Sequence, residues 1–260
     1  MNYVCTFTDQ KYFKNIINVW LPSLRRNFLG IPVVIAFNVN KADIHFLRSL
    51  DVIVIEHNYN TSTSQSVLGD MFLKRLELQY EFIKKIDKND KVMLVDGSDV
   101  VFQTELYSFF STVSNKIYYT EAKELSNKTT LSWFNVLFLC TNKDLNLEEK
   151  IKSSMIKSFG MIAGTKQSLL KYFHRHFDMI KKSKRLAFFG MNQIILTCLI
   201  LKYPKEFELS TVHNFRLTEE DIIFKDGLYY KEEKLIPILH FSRPSSKPIY
   251  NKLFLRDIQI

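Results

Sequence analysis

The 260-residue chain has few of the residues that interrupt or cross-link a fold: 7 glycines, 6 prolines and 3 cysteines. No glycine- or proline-rich linker, internal repeat or low-complexity segment divides it. The hydrophobic content of 46% and the charged content of 24% are ordinary globular values, which excludes a disordered or collagen-like chain. We therefore expect one domain that buries roughly 70–75% of its unfolded surface.

The three cysteines, Cys5, Cys140 and Cys198, are far apart and form no CxxC pair. An odd number of isolated cysteines argues against a disulfide framework and against a zinc site. We therefore expect reduced, buried thiols.

We expect neither a signal peptide nor a membrane-spanning segment. Asp9 and Gln10 come too early for a signal peptide, and no basic region precedes an apolar stretch. The longest apolar run, residues 194–201, is far shorter than the ~20 residues that span a bilayer. These absences predict a soluble, cytoplasmic protein.

Basic residues outnumber acidic ones by 36 to 27, a net charge of +9. This surplus favours anionic partners without choosing among nucleotides, nucleic acids and acidic lipid surfaces. Because the basic residues are spread along the chain without a recognition-helix pattern, we expect no nucleic-acid partner. The basic cluster at residues 181–185 is interpreted as a solvated helix end. Peripheral contact with the anionic inner face of a membrane is the alternative.

Two hydrophobic periodicities alternate along the chain. Short apolar runs typical of buried strands lie between amphipathic stretches typical of helices. This order predicts an α/β fold with a mainly parallel sheet that becomes mixed toward the C-terminus. The predicted strands are residues 3–7, 32–37, 52–56, 91–95, 116–120, 136–140, 158–163 and 236–241. The predicted helices are residues 10–27, 41–50, 70–86, 166–182 and 192–201, and Asp226-Gly227 predicts a hairpin turn.

An acidic turn directly follows the predicted strand at residues 91–95. Asp96 and Asp99 stand three residues apart around a Gly-Ser pair. Ligands of open α/β sheets bind outside the carboxyl ends of the strands, where two carboxylates can hold a hard divalent cation. Carboxylates that only bond backbone amides of their own turn are the alternative, and the spacing alone does not separate the two.

A second polar segment lies near the C-terminus. His240 ends a predicted strand, and Lys247 follows it by seven residues. An imidazole can be a metal ligand and a lysine can reach a diphosphate, although a single histidine after a strand is more often structural.

Together these segments resemble the acidic turn and the nucleotide clamp of GT-A glycosyltransferases. Residues 96–103 are similar to the D-x-x-D-V-x-F-Q segment of bacterial and algal-virus enzymes, and to the glycosyltransferase domain of lysyl hydroxylases. Three further segments match in the same order, at residues 117–122, 159–166 and 190–193. The resemblance covers residues 3–248. It implies a single GT-A (Rossmann-like) domain, with a nucleotide-binding half at 1–103, a sugar and acceptor half with the clamp at 104–248, and a tail at 249–260.

The resemblance also implies roles for individual residues. Asp96, Asp99 and His240 would bind Mn2+ or Mg2+, which would bridge the phosphates of a nucleotide-diphosphate sugar, most often UDP-linked in this family. Charge on the metal and on Lys247 would stabilise the departing diphosphate. The remaining donor-binding candidates are Thr6, Thr8 and Tyr12 for the base and ribose, Arg75 for the phosphates or sugar, and Gly164 for close approach of the backbone to the sugar.

The catalytic candidates include a departure from the family pattern. Asn192 stands where aspartate is usual, and an amide can orient a hydroxyl but cannot act as a general base. Glu121 is then the leading candidate for a base if the reaction inverts configuration, whereas a retaining reaction needs no strong base. Gln193, beside Asn192, is the third candidate.

The resemblance thus implies a metal-dependent glycosyltransferase acting on a glycan, glycolipid or protein hydroxyl. Two alternatives stay open. One is a non-catalytic relative that binds a nucleotide sugar or glycan, which Asn192 makes conceivable. The other is a basic nucleic-acid-binding α/β protein.

Overall fold

The computed structural model describes residues 1–58, 67–97, 99–125, 155–182, 191–210, 214–216, 223–231 and 233–240. The predicted strand at residues 136–140, residues 183–185 of the basic cluster, Lys247 and the tail at residues 249–260 lie outside these ranges.

Thirteen strands and seven α-helices make up the described part of the chain. The strands are β1 Asn2–Asp9, β2 Ile31–Phe37, β3 Ile53–His57, β4 Lys91–Val95, β5 Val100–Phe102, β6 Ile117–Leu125, β7 Met155–Thr165, β8 Phe207–Leu209, β9 Asn214–Arg216, β10 Ile223–Lys225, β11 Leu228–Lys231, β12 Lys234–Leu235 and β13 Ile238–His240. The helices are α1 Phe13–Asn15, α2 Leu21–Asn27, α3 Lys41–Ser49, α4 Val67–Lys85, α5 Tyr107–Thr112, α6 Lys166–Lys182 and α7 Met191–Lys202.

Seven strands form the central sheet in the order β3-β2-β1-β4-β7-β6-β8. The first four are mutually parallel, with β1 between β2 and β4. β7 then pairs antiparallel with both β4 and β6. The sheet is therefore mixed beyond β4, which confirms the predicted fold class.

Two hydrophobic cores cover the two faces of this sheet. Side chains of β1 alternate between them, since Cys5 belongs to one core and Val4 to the other. The Cys5 core is covered by α4, α6 and α7, and the Val4 core by α1, α2, α3 and α5.

The first helical segment differs from the predicted helix at residues 10–27. It begins at Phe13, after the Asp9 carboxylate has accepted a hydrogen bond from the Tyr12 amide at 3.0 Å. Before α2 the chain makes a wide π-helical turn, in which the Leu21 amide donates to the Ile16 carbonyl. Pro22 follows this turn in the first turn of α2, where proline is tolerated because the amides there have no partner within the helix.

Two small sheets contain the later strands. β10, β11 and β12 form one of them, and its hairpin turns at Asp226 and Gly227 as predicted. β13 pairs antiparallel with β5 and parallel with β9, which places His240 opposite Val100. A strand near the C-terminus thus lies beside the residues that follow the acidic turn. Among the described helices, none is long and apolar enough to cross a membrane.

The structure confirms Cys5 and Cys198 as free, buried thiols. Burial raises the pKa of both thiols to about 12, so that almost no thiolate forms at pH 8.

In a Cys140→Ser variant, we expect no reaction with Ellman's reagent at pH 8 under native conditions. Two thiols should react in denaturant. Rapid labelling of either thiol in the native protein would contradict the assigned burial.

Candidate active site

The acidic turn leaves the sheet from β4, its middle strand. The Asp96 amide donates to the Gly160 carbonyl of β7 at 3.1 Å, which extends the β4–β7 pairing to the first residue of the turn. Asp96 and Asp99 are each about 30% exposed at the side chain, so both carboxylates are half-buried rather than solvated. The site is therefore built on the central strand of the sheet, which is paired on both sides.

Gly97 allows this turn to pack against β1. A Cβ atom added to Gly97 would lie 2.3 Å from the Phe7 carbonyl oxygen and 2.5 Å from Thr6 Oγ1. The carbonyl belongs to the backbone of a paired strand, so it cannot move aside cheaply. A glycine between the two carboxylates is thus required by close approach of two main chains.

His240 meets the acidic turn because β13 pairs with β5. Its Nε2 atom lies 3.6 Å from Asp96 Oδ2 and 3.4 Å from Asp99 Oδ2. The imidazole is almost fully buried, with 4% of the side chain exposed. The three residues expected to share a metal therefore converge at one point, although they are up to 144 positions apart in the chain.

Asp96, Asp99 and His240 do not form a complete metal site by themselves. Among the described residues, no group of three His, Cys, Asp or Glu side chains is arranged to hold a metal ion by itself. Two carboxylates and one imidazole are nevertheless a donor set that suits Mn2+ or Mg2+, and Mg2+ typically takes its remaining ligands from substrate phosphates and water. The donor chemistry fits such a cation, with its coordination completed by a ligand.

The Asp96 carboxylate contacts side chains from two other parts of the chain. Its Oδ1 accepts a hydrogen bond from Arg75 Nη1 at 3.0 Å, and its Oδ2 faces His240. Within the described residues it makes no hydrogen bond to an amide of its own turn. This observation disfavours, for Asp96, the alternative in which the turn only binds its own backbone.

Arg75 is a buried cation under the turn. It is 3% exposed, and its guanidinium carbon lies 4.3 Å from the Phe7 ring centroid and 5.1 Å from that of Phe72. Burial lowers the pKa of Arg75, and the ion pair with Asp96 opposes that shift. Since the ordinary pKa of arginine is above 12, the guanidinium stays charged. Arg75 thus supplies a fixed positive charge next to the acidic turn.

Gln103 supports the site, although it is not among the candidate residues predicted from the sequence. Its Nε2 donates to the carbonyls of Ile236 at 2.6 Å and Tyr229 at 3.1 Å, and its Oε1 accepts from the Tyr229 amide at 2.9 Å. These bonds tie the start of β13 to the end of β5, and so hold His240 in place. Its signal in the sequence was its place as the last residue of the D-x-x-D-V-x-F-Q segment.

Thr6, Thr8 and Tyr12 lie at the same edge of the sheet, at and beyond the end of β1. Both threonines are buried, and Thr8 Oγ1 donates to the Asp9 carbonyl at 3.1 Å. Thr6 Oγ1 has no hydrogen-bond partner among the described residues. Tyr12 is 42% exposed, which makes its ring the accessible surface of the three.

Gly164 lies elsewhere. It pairs with Val92 at the start of β4, whereas the glycine bonded to Asp96 is Gly160, four residues earlier in β7. Four residues of strand separate the two positions by about 13 Å. A Cβ atom on Gly164 would lie 2.6 Å from Ser168 Oγ, so its surroundings are those of a packed helix start. The structure does not bring this residue to the acidic turn.

The structure describes the side chain of Asn192 but not that of Glu121. Asn192 lies in the first turn of α7, 8% exposed, with its Oδ1 3.2 Å from His176 Nε2. Gln193 follows it, half-buried, and its carbonyl accepts from the Thr197 hydroxyl at 2.8 Å. Glu121, in β6, pairs with Lys157 of β7, and the side chain of Glu121 lies outside the described part of the structure. Lys247 also lies outside the described residues.

Comparison with solved structures identifies the architecture. A galactosyltransferase, LgtC, in complex with donor and acceptor sugar analogues superposes with a TM-score of 0.57 at 12% identity, over 98% of this chain and 96% of that one. The chain has the GT-A fold. An active-site mutant of LgtC matches with a TM-score of 0.58 at 11% identity, over 94% and 88% of the two chains.

Mouse xyloside xylosyltransferase 1, in its apo form, is a further GT-A neighbour. Its TM-score is 0.57 at 12% identity, over 94% of this chain and 99% of that one. No family model matches the sequence, and no curated protein matches it significantly. The expected GT-A fold is therefore confirmed. The narrower resemblance to D-x-x-D-V-x-F-Q enzymes and to lysyl hydroxylases stays a prediction.

A Gly97→Ala variant tests the close packing of the turn on β1. Since the clash is with a backbone carbonyl, we expect the free energy of unfolding to fall by about 3 kcal/mol, the upper part of the range for overpacking. Urea denaturation measures this change.

Gly227→Ala is the matched control. Gly227 has a φ of +81° but no atom within 4 Å of its Cβ position, so the same substitution costs about 1 kcal/mol of backbone strain alone. A loss at Gly97 no larger than at Gly227 would contradict the packing argument.

Proposed function

We propose that the protein is a metal-dependent glycosyltransferase that moves a sugar from a nucleotide-diphosphate sugar, UDP-linked by analogy with the family, to a hydroxyl group of an acceptor. The observation that carries this proposal is the convergence of Asp96, Asp99 and His240 beside buried Arg75, at the carboxyl edge of the GT-A sheet. Ligands of open α/β sheets bind at this edge.

Asp96, Asp99 and His240 are the residues that would hold Mn2+ or Mg2+. A cation bound there would stabilise the negative charge that develops on the departing diphosphate. Arg75 binds Oδ1 of Asp96 and leaves Oδ2 turned toward His240. The ion pair therefore orients the Asp96 carboxylate as a metal ligand and also balances the charge of that carboxylate. Preorganised charge of this kind needs little rearrangement during the reaction.

The rest of the donor site is proposed from position and chemistry. Tyr12, exposed beyond β1, offers an aromatic surface to the base of the nucleotide. The buried residues Thr6 and Thr8 are proposed to line the same site. Lys247 is proposed to reach the diphosphate. Gly164 has no part in this proposal, because it lies at the other end of β4.

The acceptor is proposed to be a glycan, a glycolipid or a protein hydroxyl. The LgtC complex contains donor and acceptor sugar analogues, which favours a sugar hydroxyl among these classes. Glu121 is the proposed base for an inverting reaction. Asn192 and Gln193 are proposed to contact the donor sugar or the acceptor.

Thermal unfolding with nucleotide diphosphates and nucleotide sugars tests this function. A ligand present at 100 times its Kd stabilises the native state by about 2.7 kcal/mol. For a chain of this size, that corresponds to a rise in Tm of about 5–10 °C. We expect such a rise for one nucleotide, only when Mn2+ is present, and its loss in Asp99→Asn.

Asp226→Asn is the matched control, because it makes the same substitution in the β10–β11 turn, where Asp226 has a φ of 53° that asparagine accepts. Its nucleotide response should equal that of the wild type. Stabilisation by no nucleotide, or equal stabilisation of the Asp99→Asn variant, would overturn the proposed function.

A further inference from the structure

A chain of polar side chains crosses the core formed by α4, α6 and α7. The Tyr172 hydroxyl lies 2.9 Å from His176 Nδ1, and His176 Nε2 lies 3.2 Å from Asn192 Oδ1. Tyr172 is 2% exposed, His176 0% and Asn192 8%. Apolar side chains would pack at this position at lower cost, because a buried polar group must find a partner.

The direction of these hydrogen bonds follows from counting donors. Buried Tyr172 has one proton to donate, and His176 Nδ1 is its partner among the described residues. If Nδ1 carried the proton instead, the tyrosine proton would be buried without an acceptor. Tyr172 therefore donates to Nδ1, and the proton of the neutral imidazole lies on Nε2. That proton is donated to Asn192 Oδ1.

The neutral state of His176 agrees with its surroundings. Burial lowers the pKa of His176 to about 3. The hydrogen bond to Asn192 opposes this shift, and the charge of Arg75 adds to it. A protonated ring would also lose the acceptor that the Tyr172 hydroxyl requires.

This arrangement fixes the orientation of the Asn192 amide. With Oδ1 turned to His176, the NH2 group lies on the other side of the side chain and offers two donors. A carboxylate at this position could only accept hydrogen bonds. The position thus presents donors, in place of the acceptors that an aspartate would present.

The contact with His176 relates Asn192 to the acidic turn. β7 ends at Thr165, which pairs with Lys91 at the start of β4, and α6 begins at the next residue. His176 is ten residues further along α6, about 15 Å at 1.5 Å per residue, and β4 covers a similar distance of about 17 Å from Lys91 to Asp96. Asn192, which contacts His176, is therefore expected on the side of the sheet where Asp96 lies. The charge of Arg75 also affects the pKa of Tyr172 and of His176, which places this chain near the buried ion pair.

We propose that Tyr172 and His176 are positioning residues that hold the Asn192 amide with its NH2 group toward the donor sugar, so that Asn192 donates a hydrogen bond to a sugar oxygen. The proposal deepens the proposed function and rests on it. It assigns the contact at residue 192 to sugar recognition, and excludes this amide as the base.

Imidazole 15N NMR of the ligand-free protein tests the direction of the bonds. We expect the His176 signal of a neutral ring protonated at Nε2 throughout pH 6–8. In Tyr172→Phe the ring should lose its preference for this tautomer, a change that a purely packing role of Tyr172 would not cause. A ring protonated at Nδ1 in the wild type would overturn the proposal, because the amide would then be reversed.

Binding measurements test the contact with sugar. The probes are UDP and its esters with galactose, glucose and xylose, each with Mn2+, measured by isothermal titration. In the wild type we expect one ester to bind more tightly than UDP. In His176→Leu and in Asn192→Asp, the affinity of that ester relative to UDP should fall about tenfold, the loss of one well-oriented hydrogen bond. The affinity for UDP itself should stay unchanged.

Two further variants separate positioning from packing. His176→Gln keeps an N–H donor near the position of Nε2 and should restore the affinity ratio to within about twofold. The matched control is His174→Leu. His174 lies two residues away, and its Nε2 is 3.2 Å from the Tyr80 hydroxyl in an exposed Tyr–His pair. This control should leave the ratio unchanged.

The outcomes distinguish the two proposals. Failure of the wild type to bind UDP would overturn this inference together with the UDP form of the proposed function. If UDP binds but no ester binds more tightly, or if His176→Leu keeps the wild-type ratio, only the positioning role is overturned.

Discussion

The buried ion pair between Arg75 and Asp96 is the interaction on which the candidate site depends. Removing a guanidinium from water is costly unless a partner is held close, and here the partner is the first residue of the acidic turn, at 3.0 Å. The Phe7 and Phe72 rings flank the cation and exclude water from it. Because Arg75 belongs to α4 and Asp96 follows β4, this pair fixes the helix, the sheet and the turn relative to one another.

The other contacts complete that constraint from distant parts of the chain. Gly97 lets the turn rest on β1, and Gln103 ties β13 to β5 so that His240 reaches both carboxylates. The surroundings of the turn therefore contain one fixed cation, two carboxylates and one imidazole. In such a set the two carboxylates would attract a divalent cation, and the charge of Arg75 together with that cation would attract the negative charges of a diphosphate.

The helices and strands were predicted well from the sequence where the local apolar periodicity is strong. The bounds of β4 and α6 agree with the predicted residues 91–95 and 166–182, because apolar periodicity and flanking polar residues mark their ends. The acidic turn, too, is a local pattern. The meeting of His240 with that turn depends on β5–β13 pairing, a non-local contact that only the family resemblance implied. The burial of Arg75, the bonds of Gln103 and the Tyr172–His176–Asn192 chain depend on packing between helices and strands, which residue spacing does not encode. For the same reason Gly164, matched by motif, proved to lie away from the turn.

We propose that Asp96, Asp99 and His240 together form one site for a metal and a diphosphate. Pulsed EPR of Mn2+ with UDP measures this directly, since couplings to 14N and 31P report an imidazole ligand and phosphate ligands of the same ion. We expect both couplings in the wild type, and loss of the 14N coupling alone in His240→Asp. Bound Mn2+ without coupling to 31P, or a 14N coupling that persists in the variant, would contradict it.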